Sequence, residues 1–163
     1  MRLRRRQPLE LPPVSFRRIL VPMKLGEIGR EMIATAVELA EQGGVPVEAV
    51  HVIRVPLDAA LDTALGGEEE RARKSIALAE AFGAEHGVEV RGTIVRARSI
   101  GDAIVAEAVR TGADLIVLGS APRWRRQSRF FSPTVDYVLK KAPCEVLIVA
   151  FPQGTLEEEP VTS

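Results

Sequence analysis

Ala113-Asp114-Leu115-Ile116-Val117-Leu118-Gly119-Ser120 is a continuous apolar run that stops on Gly-Ser, and a second run, Val146-Leu147-Ile148-Val149, follows near the C-terminus. Apolar runs without alternation read as strands buried on both faces, the habit of parallel sheets. A strand ending on Gly-Ser delivers its loop to the sheet's C-terminal edge. In open α/β sheets that edge binds ligands, beside helix N-termini whose unpaired N–H groups attract anions.

Upstream, Arg18-Ile19-Leu20-Val21-Pro22 is a short β-branched strand stopped by proline. A helix follows, with Ile28, Met32, Ile33, Ala36, Val37 and Ala40 at the 3.6-residue period and Gly43-Gly44 as its end. Strand two is Val47 to Ile53. Such a strand–helix–strand unit with short joins calls for parallel pairing and a right-handed crossover. Arg54 to Gly67 is a long connection whose Leu57, Leu61 and Leu65 fall at helical spacing; a short helix or lid fits them, and a packed surface loop fits them better. Glu68 to His86 predicts a helix with Ala72, Ile76, Ala79 and Phe82 inward and its charges solvated. Val88 to Val95 alternates like a half-covered edge strand. Helix three begins near Ser99 and turns Ile104, Val105, Ala108 and Val109 inward before Gly112.

Downstream of Ser120 the stretch Pro122 to Phe131 sets four arginines around the only tryptophan. Ser132 then suits a helix N-cap and Pro133 the first helical position, and the helix carries Val135, Val138 and Leu139 inward until Lys140-Lys141. Five strands alternating with four helices give a doubly wound α/β sandwich.

Hydrophobic residues make up 46% of the chain and aromatics 4%, so the core is aliphatic. With 22 basic and 22 acidic residues the net charge is +0, and no bulk field draws the protein to nucleic acid; no nucleic-acid partner is expected. The expected organisation is a flexible basic, proline-rich arm over 1–15, one domain over 16–152 and a flexible acidic tail over 153–163. A single cysteine, Cys144, excludes an internal disulfide and fits a reducing cytosol, so a cytoplasmic protein is expected. No apolar stretch approaches a membrane span, and no signal-peptide core is present.

Catalytic constellations are missing. His51 and His86 have no metal partner at ligand spacing and read as structural, and Cys144 reads as core packing. There is no nucleophile elbow and no Walker loop. Gly26 and Gly29 give only a weak phosphate-loop signal. No catalytic residue and no metal site are assigned.

The closing phrase Ala142-Pro143-Cys144-Glu145-Val146-Leu147-Ile148-Val149, together with Gly119 after strand four, resembles the universal stress protein (UspA-like) family over residues 16 to 151. The resemblance implies an open five-stranded parallel sheet of order 3-2-1-4-5 with helices on both faces, adenine-nucleotide α-hydrolase-like. It further implies a homodimer through Val146, Leu147, Ile148 and Val149. Nucleotide-binding members carry Gly-x2-Gly-x9-Gly-Ser/Thr after strand four. Here Gly119 keeps the first position, while Pro122, Ser132 and Pro133 occupy the other three. Lys24 stands where the family sets an acid against adenosine. By family match the cleft residues are Pro22, Met23, Lys24, Val52, Gly119, Ser120, Ser132 and Thr134, with Arg123 and Arg126 reaching for a phosphate from the loop.

The function so implied is a nucleotide-responsive regulatory domain with a degenerate ATP motif and weak or no ATP binding. ATP or another adenine nucleotide is the cofactor to be considered; the sequence does not name it. The alternatives are an interaction domain without nucleotide, working with a membrane transporter such as an amino-acid permease, and an adenine-nucleotide hydrolase. The arginine-rich loop would then meet an acidic protein or polyanion, or else fold its aromatics onto the core.

Overall fold

The computed structural model describes residues 15–120 and 131–151. Along the chain run β1 (Ile19–Pro22), α1 (Glu27–Gly43), β2 (Val47–Arg54), α2 (Gly66–Glu85), β3 (Val90–Ala97), α3 (Ile100–Thr111), β4 (Leu115–Ser120), α4 (Pro133–Lys141) and β5 (Glu145–Ala150). All pairs are parallel and the order is β3-β2-β1-β4-β5, as the sequence led us to expect.

The strand period of two divides the core into two halves. Ile19, Val21, Val47, Ala49, Leu115 and Val117 face α1 and α2. Leu20, Val50, Ile116 and Leu118 face the opposite way, against Ile104 and Ala108 of α3 and Val135 and Val138 of α4. Each fully buried Val, Leu or Ile contributes about 1.5–3 kcal/mol. The strands carrying most of them, β1, β2 and β4, occupy the middle of the sheet. At the opposite, N-terminal edge, the Asp114 carboxylate accepts the Arg17 and Arg18 backbone N–H groups at 2.8 and 3.0 Å and ties the entry of β1 to β4.

The inward stripes are narrower than the sequence period suggests. Val109 is 64% exposed and Leu139 44%, so neither packs inward as expected. Both sit one step beyond a buried residue, Ala108 and Val138, and a step of about 100° carries them off the core face. Between β2 and α2 the chain makes turns and no helix, and Leu57 and Leu61 are exposed while Leu65 is half-buried, so this loop leaves two of its three leucines unpacked. Its backbone is held by arginines at the end of β3 and just beyond it: Arg96 donates to the Leu61 carbonyl at 2.6 Å and also to Thr63, and Arg98 donates to the Pro56 carbonyl. Cys144 is half-buried against the α3/α4 side of the core. Residues 1–14, 121–130 and 152–163 lie outside the described residues, and with them nearly all of the expected arm 1–15, the whole expected tail 153–163, and the expectations for Trp124, Phe130 and the loop arginines.

Candidate functional site

β1, β2 and β4 end together at the C-terminal edge, and a cleft of about 470 Å³ opens there between them and the first turns of α1 and α4. Pro22, Met23, Lys24, Val52, Gly119, Ser132 and Thr134 all line it, so seven of the residues expected from the sequence converge on one cavity. Ser120 does not line it. Its side chain is buried at the end of β4, and its carbonyl accepts the Phe151 N–H at 3.0 Å, which commits it to the β4–β5 ladder. Arg123 and Arg126 lie outside the described residues.

Each wall has a local cause. Pro22 closes β1, yet the Met23 N–H still reaches the Val50 carbonyl at 2.7 Å, so the cleft floor stays fixed to β2. Gly26, at φ 105°, turns the chain into α1, a backbone angle open to glycine. A Cβ on Gly29 would lie 1.8 Å from the Lys24 carbonyl oxygen; glycine here lets α1 sit directly on the Lys24 backbone. That is packing, and it accounts for a glycine the sequence associated faintly with phosphate. Gly119 has a similar task, since a Cβ there would come within 2.7 Å of Ile28 Cγ2 and 3.0 Å of Met32 Sδ.

The first turn of α4 decides what the cleft offers an anion. Pro133 has no N–H. The Val135 N–H is taken by the Ser132 Oγ cap at 3.3 Å, and the Asp136 N–H by the Ser132 carbonyl at 3.0 Å. Of the residues that open this helix, Pro133 to Asp136, only Thr134 keeps an N–H without a partner among the described residues.

Several lining residues were missed in the sequence: His51 and Arg54 of β2, Met32 of α1, and Ile100 and Ile104 of α3. Arg54 had a readable signal, a charge ending an apolar strand at the ligand-bearing edge. His51 is only 7% exposed, and its Nδ1 has no hydrogen-bond partner among the described residues. Burial pushes its pKa below the ordinary 6.5, against Glu68 and with Arg71, which favours neutral imidazole. It is therefore a buried histidine, as expected, but one placed in the wall of the cleft. His86 closes α2 and stacks on Phe82 with ring centroids 4.6 Å apart. Among the described residues no carboxylate lines the cleft, whereas Lys24 and Arg54 do. Among the described residues no group of His, Cys, Asp and Glu could hold a metal, and no helix is long and apolar enough to cross a membrane.

The profile of the Universal stress protein family matches residues 15–150. Solved structures share the fold. The universal stress protein UspA from Lactobacillus plantarum is 22% identical with a TM-score of 0.69, over 83% of this chain and 99% of its own. A universal stress protein from Archaeoglobus fulgidus is 22% identical with a TM-score of 0.66, over 82% and 93%. The structure of the A. fulgidus protein in complex with dAMP is 21% identical with a TM-score of 0.63, over 81% and 95%. Comparison with curated proteins gave no match.

Proposed function

The chain belongs to the universal stress protein family, and from that premise we propose that it is a cytoplasmic, ligand-responsive regulatory domain whose cleft binds ATP weakly or not at all. A fold neighbour is named as a dAMP complex, which makes an adenine nucleotide the first ligand to consider. The observation that carries the reading is the donor-poor first turn of α4: proline at N1, the Val135 and Asp136 N–H groups taken by Ser132, and the Thr134 N–H alone left over. A charge-assisted hydrogen bond to phosphate is worth about 1.5–3 kcal/mol, so each one lost weakens binding roughly tenfold or more. Lys24 adds to this reading, because the family sets an acid at its position. The apolar part of the cleft, with Met23, Ile28, Val52 and Ile104, still suits a flat or aliphatic body.

Reversing the departures tests the reading. A variant carrying Lys24→Asp, Ser132→Gly and Pro133→Ser regains an acid and frees the α4 donors. Calorimetric titration is expected to show ATP bound at least about tenfold more tightly than by the wild type. An unchanged affinity in a variant with wild-type circular dichroism would contradict it.

A further inference from the structure

Beside the main cleft, and sharing Arg54, Ile100, Pro133 and Thr134 with it, lies a second cavity of about 410 Å³. It sits past the ends of β2 and β3, on the far side of the cleft from Gly119. Its remaining walls are Arg98, Ser99, Gly101 and Tyr137. We propose that this annex is the acid-binding end of the cleft, where Arg54 and Arg98 hold the phosphate or carboxylate group of a small ligand. The proposal rests on the reading of the cleft as a ligand site and adds which end of it takes the negative charge.

Charge is the first argument. The protein is neutral overall, yet among the described residues no carboxylate lines either cavity, and Lys24, Arg54 and Arg98 do. Three cations on one concave surface without a lining acid favour an anionic occupant, because they raise its local concentration and repel cations. The two guanidiniums are also available. The Arg54 side chain makes no hydrogen bond or ion pair with any described residue. Arg98 spends one donor on the Pro56 carbonyl, which fixes the side chain while leaving other N–H groups of its fork free.

Backbone donors add to the arginines. α3 is capped by Ser99, whose Oγ accepts from the Asp102 N–H at 3.3 Å, while its carbonyl accepts from the Ala103 N–H at 3.2 Å. The N–H groups of Ile100 and Gly101 remain without intrahelical partners, on residues that line the cavity. The contrast with α4, which has only Thr134 left, gives the cleft two unequal ends. Asp102, in the first turn of α3, accepts a hydrogen bond from the Tyr137 hydroxyl and is not among the lining residues. His51, nine-tenths buried, lies in the wall of the adjoining cleft.

The test follows amide signals of the full chain by NMR at low salt, with three probes: inorganic phosphate, succinate and adenosine. Saturable shifts at Ile100 and Gly101 are expected with phosphate, succinate or both, and the tighter of the two assigns the acid. Arg54→Gln is expected to weaken that binding by about tenfold, and Arg30→Gln, on the exposed side of α1, to leave it unchanged. Arg98→Gln gives a second reading if its spectrum remains that of a folded protein. The proposal is overturned if neither anion moves Ile100 and Gly101, if the anions move only Gly119 and Thr134, or if Arg54→Gln binds like the wild type. Adenosine separates the two readings. If it moves Val52 and Gly119 while the anions fail at α3, the cleft reading stands and the annex falls; if it moves nothing as well, both fall.

Discussion

Single residues of the cleft carry opposite loads, and substitutions tell them apart. Gly29 meets backbone: any Cβ would press on the Lys24 carbonyl, which cannot rotate away. Gly29→Ala is expected to cost about 1–3 kcal/mol in urea unfolding, the usual range for overpacking. Gly119→Ala meets the ends of Ile28 and Met32, which can turn, so its cost should be clearly smaller. Equal losses would contradict this account of the two glycines. His51 sets a pH dependence. Its folded pKa lies below 6.5, so the unfolded chain takes up the proton first. The stability from its neutral burial is full above about pH 6.5 and is lost as pH falls through the folded value. Thermal melts from pH 7.5 to 5.5, set beside those of His51→Gln, should show a smaller decline in the variant. Parallel declines would remove His51 as the cause. At this scale the family match named positions that meet in the cleft, Met23, Val52 and Thr134 among them, and also Ser120, which does not line it. It did not place His51 or Arg54 there, because their position depends on which strands end beside them.

The elements were legible where cap chemistry and apolar period agreed. Ser99 and Gly112 bound α3, and Ser132-Pro133 opens α4, both where the sequence places them. Ser132→Ala should cost about 1 kcal/mol of stability through the lost cap, while freeing the Val135 N–H for an anion. Urea unfolding checks the first effect. No loss would mean that the Ser132 cap contributes nothing in solution. The period of 3.6 locates a stripe but not its edges, which is why Val109 and Leu139 read as inward and lie outside. The β2–α2 loop shows another gap. Its leucines suggested an apolar anchor, whereas Arg96 of β3 and Arg98 just after it hold its carbonyls, and such long-range polar contacts leave no periodic trace.

For the whole molecule, the residues alone supported a doubly wound sheet, and the family resemblance supplied the strand order that the structure has. β5 lies at one edge of that sheet, with Leu147 exposed. Pairing of two copies through Val146, Leu147, Ile148 and Val149 remains our proposal, grounded in the need of an apolar edge strand for cover. Light scattering should report a dimer, and Leu147→Glu should shift it towards monomer; a wild-type monomer at micromolar concentration would oppose the proposal. The central proposal concerns the cleft: we infer that it is a ligand site in which Pro133 and the Ser132 cap leave the first turn of α4 poor in donors for a phosphate. The most direct measurement is calorimetric titration of the wild-type chain with ATP. The account predicts no saturable binding tighter than roughly 100 μM, and a dissociation constant of a few micromolar or below would contradict it.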